Sequence, residues 1–319
     1  MDLFNAIERM KKLQFILLLF SFWGMAQQEA YFSLSEYQMR FVNPAYAGSE
    51  AQQLFSLVSR NQWRTTPQNP KTTAMTYSTA LKKNVGLGIS VLSDVIFVEK
   101  QTWVTADFSY KVHLANEAQL FLGIKAGMNS FHVDTSELIS HSVQIDPTKQ
   151  NLSRLSPNFG VGLLYQKNQF WFSAGMPRLF NSRRSDDIEL QARNRVHLYM
   201  GLGSTYMINT SLQFSPQVYY RTTAGMPTVW EGVFWAAYQK QFKLGWGIRS
   251  GRTMSFRTKI RISEELEIAY SYDTFFKHQL SNLQMNAHEI GLLIRFNSNS
   301  NSDETTINIV NEQSSEKTK

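Results

Sequence analysis

Phe242-Lys243-Leu244-Gly245-Trp246-Gly247-Ile248-Arg249 decides the fold, because every second side chain in this run is apolar and those between are charged or absent. Successive side chains on a strand point to opposite faces, so one face of this segment is greasy and the other wet. A soluble sandwich would turn the greasy face toward a second sheet, whereas a membrane barrel turns it toward lipid. The remaining strands, the loops and the ends of the chain choose between the two.

The alternation recurs along the chain. Val104, Ala106, Phe108, Tyr110 and Val112 alternate with Thr105, Asp107, Ser109 and Lys111, and Leu120, Leu122, Ile124 and Ala126 alternate with Gln119, Phe121, Gly123 and Lys125. Near the C-terminus Ile290, Leu292, Ile294 and Phe296 alternate with Glu289, Gly291, Leu293 and Arg295. The opposite register would put Lys125 or Arg295 into hydrocarbon at a cost of roughly 2 to 4 kcal/mol near the midplane, so the apolar sets face lipid and the polar sets face a lumen. The pattern predicts an all-β transmembrane antiparallel barrel of about 14 strands, the even number expected of a bacterial barrel. Strands are expected at 84–92, 102–113, 117–129, 158–166 and 195–208, among others. Connections after even-numbered strands, such as Lys82-Lys83 and Lys167-Asn168, read as short periplasmic turns. Those after odd-numbered strands, including the third, read mostly as longer surface loops, notably Phe131 to Pro157, Arg178 to Asn194 and Phe275 to Met285; Gly251-Arg252 is a short exception. Leu54 to Arg60 and the strand holding Pro216 alternate poorly, and Pro216, which lacks a ladder donor, predicts a bulge or kink.

The ends of the chain name the compartment. Lys11 and Lys12 precede the apolar run Phe15 to Phe20, and Gly24-Met25-Ala26 supplies the small residues a signal peptidase reads. Residues 1–26 therefore read as a secretory signal peptide, with translation starting at Met1 or Met10. Residues 27–50 read as a plug-like periplasmic segment, 51–297 as the barrel, and the Ser/Asn/Glu/Thr-rich stretch 298–319 as a disordered tail. Cysteine is absent and the formal charge is +7. Lys and Arg are spread along strands and turns rather than clustered, which points to outer-membrane lipid or an acidic protein and away from nucleic acid.

Charges fill the expected lumen. Arg249, Arg257, Lys259, Arg261 and Arg295 point inward, as do Asp107, Glu265, Glu267, Asp273 and Glu289. Opposite charges across a narrow barrel pair, which predicts a plugged or tightly gated interior. These groups either only solvate and stabilise the lumen or, in the case of Arg257, Lys259 and Arg261 on one strand face, form a basic stripe for an acidic ligand. No catalytic residue, cofactor site or metal site is read: the six histidines lack ligand spacing on one element, and His288 and Glu289, as strand neighbours, face opposite sides.

Four motifs carry a family resemblance. Asn43-Pro44-Ala45-Tyr46-Ala47-Gly48 precedes the first strand; Arg60, Gln62 and Trp63 close that strand; Tyr270-Ser271-Tyr272-Asp273 and Ala287-His288-Glu289-Ile290 lie near the end. Together, and in this order, they resemble the PorP/SprF family of type IX secretion and gliding proteins of Bacteroidetes. Physically, the first motif is a loop device: Pro44 fixes a dihedral, Asn43 bonds its own backbone, Ala45 and Ala47 allow close packing and Gly48 permits a turn. It is expected at or inside the periplasmic mouth with Tyr46 wedged among lumen residues, either anchoring the N-terminal segment or meeting a partner.

The resemblance implies a non-enzymatic outer-membrane component that aids export or surface attachment of particular secreted proteins, such as adhesins bearing C-terminal export domains, together with other type IX secretion components. The alternative from the barrel alone is a transport channel for small or hydrophobic solutes, resembling the long-chain fatty acid transporter fold. The lumen discriminates, since an apolar route needs an apolar inward face.

Overall fold

A computed structural model describes residues 31–50, 53–63, 69–81, 84–134, 151–180, 182–183, 193–194, 196–251, 253–275 and 286–296. The stretches read above as signal peptide and C-terminal tail, and most of the long-loop positions singled out there, lie outside the described residues. Helix α1 (Ser35–Val42) and a 3-10 turn (Pro44–Tyr46) come first. Strands β1 (Gln53–Gln62), β2 (Lys71–Ala80), β3 (Val85–Ile96), β4 (Glu99–His113), β5 (Gln119–Val133), β6 (Leu152–Lys167) and β7 (Phe170–Met176) follow. After a two-residue pair, β8 (Ser182–Arg183) and β9 (Arg193–Asn194), come β10 (His197–Ser204), β11 (Tyr206–Met207), β12 (Leu212–Thr223) and β13 (Val229–Tyr238). The chain then adds β14 (Phe242–Arg249), β15 (Thr253–Arg261), β16 (Leu266–Phe275) and β17 (Ala287–Phe296).

Each long strand pairs antiparallel with its chain neighbour; β1 also pairs with β17, and β10 pairs with both β7 and β12. The sheet thereby closes into a 14-strand antiparallel barrel with one extra strand, β11. The register follows the faces read from the sequence. Val104, Phe108, Tyr110, Leu122, Ile124 and Ile290 are exposed on the outer wall, while Thr105, Asp107, Ser109, Lys125 and Glu289 are buried inside.

Several connections differ from expectation. β3 and β4 join through Phe97-Val98 with Phe97 at φ 56°, a tight turn in place of a long loop. Two apolar residues carry none of the usual turn chemistry, so nothing in the sequence marks this hairpin. The connection after β5 spans 134–151 rather than Phe131 to Pro157, because β5 and β6 continue pairing to Val133↔Leu152, past their apolar alternation. Glu265 lies exposed in the turn before β16, outside the lumen. Pro216 inserts no bulge: Gly203↔Gln217 and Tyr206↔Phe214 keep one register on either side of it. Its missing N–H interrupts the ladder near Thr205, and this splits the expected strand 195–208 into β10 and β11.

Leu54 and Val58 face inward and are nearly inaccessible, at 2% each. They are apolar on the wet side because the lumen is filled. Phe32, Ser33, Leu34, helix α1 and the motif that follows are buried inside the barrel, with Asn43 and Ala45 at 0% exposure.

Candidate functional site: the plugged lumen

The plug is gripped at three levels. At the first, Glu289 accepts the backbone N–H of Ser33 at 2.6 Å and of Leu34 at 2.8 Å. The Ser33 hydroxyl donates to Asp273, and Arg249 Nη2 reaches both that hydroxyl (2.8 Å) and Asp273 Oδ2 (2.9 Å). Arg60 Nη1 binds Asp273 Oδ2 at 2.9 Å and also pairs with Glu289. Ser35 continues the lattice by donating to Glu231 Oε2 at 3.0 Å, and Glu231 pairs with Arg257. Buried charges are tolerated when paired and fully hydrogen-bonded, and here β1, β13, β14, β15, β16 and β17 all contribute to one network that includes plug backbone.

At the second level α1 lies against the wall. It carries Glu36 in its first turn and Arg40 in its last, the polarity the helix dipole favours. Met39 and Val42 pack on Tyr199, Tyr219, Val233 and Trp235. Lys259 pairs with Glu36, stands 4.8 Å above the Trp235 ring and lies 3.9 Å from Glu267. Arg261 also meets Glu267 at 3.9 Å, so each cation of the Arg257, Lys259, Arg261 stripe has a carboxylate of this same chain beside it. Burial alone would raise the Glu36 carboxyl, but the Lys259 and Lys243 ammonium groups and Arg40 overcome it and hold Glu36 down at about 2. Arg40 pairs with Glu50 and holds that carboxyl below the usual range, with Arg295 adding to the effect from 3.8 Å.

The third level is the Asn43 to Gly48 motif. Asn43 Oδ1 accepts from the Ala45 N–H at 2.9 Å, closing the 3-10 turn that Pro44 opens. Its Nδ2 donates outward to the Leu163 carbonyl (2.9 Å) and to Ser173 Oγ (2.8 Å) on β6 and β7. The wall opposite is glycine. A Cβ on Gly162 would sit 1.9 Å from Asn43 Oδ1, one on Gly123 2.3 Å from the Ala45 nitrogen, and one on Gly86 2.1 Å from the Ala47 carbonyl oxygen. Gly48 leaves the motif at φ 65°. Tyr46 packs on both apolar clusters of the lumen, and the Arg40 guanidinium lies 5.9 Å from its ring. Between plug and wall near Arg40, Tyr46 and Asp107, the remaining space admits about one water.

The motif residues thus separate by face. Arg60, Asp273 and Glu289 enter the lumen lattice, whereas Tyr270, Tyr272 and His288 stand on the outer wall, with the Tyr270 hydroxyl 2.8 Å from His288 Nδ1. Gln62 and Trp63 sit at the end of β1, where the Trp63 N–H donates to the Asn286 carbonyl at 3.0 Å. Sequence reasoning missed Ser33, Glu36, Glu50 and Glu231. Only Glu231 carried a signal, since it shares strand parity with the inward Val233 and Trp235. Among the described residues no group of three or more His, Asp or Glu side chains is arranged to hold a metal.

A family model described as "Type IX secretion system membrane protein PorP/SprF" matches residues 24–294. No curated protein matches the chain. Among solved structures, the chain is similar to the Acinetobacter baumannii outer membrane protein Omp33, at 8% identity and a TM-score of 0.44, covering 77% of this chain and 99% of that one. It is similar to the Ralstonia pickettii toluene transporter TbuX at 12% identity and a TM-score of 0.47, covering 80% and 92%. It is also similar to a Pseudomonas aeruginosa FadL homologue at 10% identity and a TM-score of 0.44, covering 79% and 91%.

Proposed function

The chain belongs to the type IX secretion system membrane protein PorP/SprF family, and from this membership we infer that it is a non-enzymatic outer-membrane component that aids export or surface attachment of particular secreted proteins. Its partners on this reading are secreted proteins with C-terminal export domains and other components of the secretion machinery. The signal peptide is cleaved near Ala26, residues 27–50 enter the barrel, the short turns face the periplasm and the longer loops face the cell exterior. Binding is the activity. The observation that carries this reading is the filled lumen: the chain's own residues 32–47 occupy the interior and are held there by ion pairs, hydrogen bonds and apolar packing. Recognition then falls to the plug mouth and to the long loops on a rigid wall.

Deleting the gene and comparing surface, medium and periplasm by quantitative proteomics tests the reading. Loss of one or a few surface proteins with C-terminal export domains is the expected result; loss of all of them would make the protein a core component, and loss of none would overturn the secretion role.

A further inference from the structure

A membrane barrel is expected to be apolar on its outer face, and four adjacent strands depart from that at the long-loop end. His288 on β17 is flanked in register by Asn61 on β1 and Tyr272 on β16, and Asn61 is in turn opposite Lys71 on β2. The Tyr270 hydroxyl and His288 Nδ1 share a hydrogen bond of 2.8 Å and the Tyr272 ring lies 5.2 Å from the imidazole, so Nε2 is the ring nitrogen that Tyr270 does not occupy. One step toward the barrel middle, Ser59 and Thr73 share a hydrogen bond of 3.1 Å. The surface turns aliphatic here, with Ile290, 62% exposed, directly opposite Ser59 on β17, and Met75, 42% exposed, the next outward residue on β2 after Thr73. Trp63, 40% exposed, follows the end of β1.

This layout has the two halves of a lipid. Aromatic and long cationic side chains collect at the membrane–water boundary, where their apolar bodies meet acyl chains and their polar tips meet headgroups. Charge then selects the headgroup. The carboxylates of these strands, Glu267, Asp273 and Glu289, all turn inward, so the outer face of β16, β17, β1 and β2 carries none. Lys71 is exposed and meets no carboxylate among the described residues.

We propose that Lys71, His288, Tyr272 and Asn61 form an outward-facing site for the phosphate of an anionic lipid headgroup, with its acyl chains lying over Ile290 and Met75. The site is independent of the secretion role. Its occupant is a membrane lipid rather than a protein, because the donors end where the aliphatic surface begins and no acidic side chain competes for them.

Native mass spectrometry of the full-length barrel in detergent, titrated with lipid A bearing two phosphates or with uncharged diacylglycerol, tests this. The wild type is expected to retain lipid A and shed diacylglycerol, and the K71Q/H288Q double variant to retain at least about 5-fold less lipid A. K100Q, which removes an outward lysine on β4, should change nothing. A heat-modifiability gel confirms folding, and Y272F repeats the comparison should the double variant misfold. Equal retention of both lipids, or unchanged lipid A retention in the double variant and Y272F, would overturn the proposal. So would a wild-type dimer that the double variant breaks without any change in lipid retention, which would assign the patch to barrel–barrel contact.

Discussion

Arg60 and Glu289 are direct partners across the β1–β17 ladder, where the first and last strands meet, and the carboxylate that Arg60 holds also accepts the Ser33 N–H at 2.6 Å. The pair that closes the barrel therefore also holds the plug. A barrel that misaligned this seam by a single residue would turn one of the two toward lipid and part the pair; were it Glu289, the Ser33 and Leu34 amides would be left unmet.

Removing one partner of this pair leaves charge buried without compensation, which costs about 3 to 5 kcal/mol, whereas neutralising both while keeping an acceptor for the plug amides costs less. Arg60→Met should thus destabilise the barrel more than Arg60→Met combined with Glu289→Gln, whose side-chain oxygen is uncharged and still accepts from the Ser33 or Leu34 amide. Urea unfolding in micelles, followed by loss of the heat-modifiable band, measures the order; the double variant being the worse of the two would contradict it.

Asn43 uses both ends of its amide, accepting from Ala45 and donating to Leu163 and Ser173. Asn43→Asp keeps the acceptor but sets a carboxylate oxygen against the Leu163 carbonyl, so it should loosen the plug at least as much as Asn43→Ala. Each buried group left unsatisfied costs about 1 to 3 kcal/mol. Limited proteolysis between plug and β1 reads the difference, and a fully protected Asn43→Asp protein would show that the donor end is dispensable.

The outer wall was legible in the sequence because lipid imposes one demand on every residue that meets it, and Phe242 to Arg249 or Val104 to Val112 could satisfy it only by alternation. The lumen was legible only in part. Leu54 and Val58 read as a broken strand because an inward apolar residue makes sense only once the plug is there. Arg60, Asp273 and Glu289 were visible as motif residues, but their common partner Ser33 has no periodicity and no charge to mark it. Beyond the lipid band no rule of alternation holds, so the upper ends of β5 and β6 and the Phe97-Val98 turn went unread.

Where the motif backbone touches the wall, glycine is a requirement of space. Gly162→Ala would place a methyl 1.9 Å from Asn43 Oδ1 and 3.0 Å from Pro44 Cδ, so either the turn or β6 must move. Gly232→Ala on β13 meets nothing within 4 Å and serves as the control. The chain has no cysteine, so a single cysteine at Ser49 reports on the plug alone. Maleimide labelling there should speed up in Gly162→Ala and stay unchanged in Gly232→Ala; equal rates in both would mean the wall yields without disturbing the motif.

Acid should release the plug in a defined window. Glu36 is held down at about 2 from an ordinary 4.5, so its contribution is complete above 4.5 and is lost as pH falls from there through about 2. Glu50, held low by Arg40, shifts in the same direction and adds to the loss. Protonating Glu36 leaves Lys259 buried with only Glu267, 3.9 Å away, as a counter-charge, which weakens the contact between α1 and the wall. A spin label on the Ser49 cysteine should be immobile at neutral pH and gain mobility as pH falls below 4.5 toward 2, returning on neutralisation. Lys259→Gln removes the partner that depresses Glu36, so its label should be more mobile at neutral pH and respond less to acid. A wild-type spectrum constant across that window would mean that the apolar packing of Met39 and Val42, together with the Asn43 contacts, holds the plug without help from Glu36.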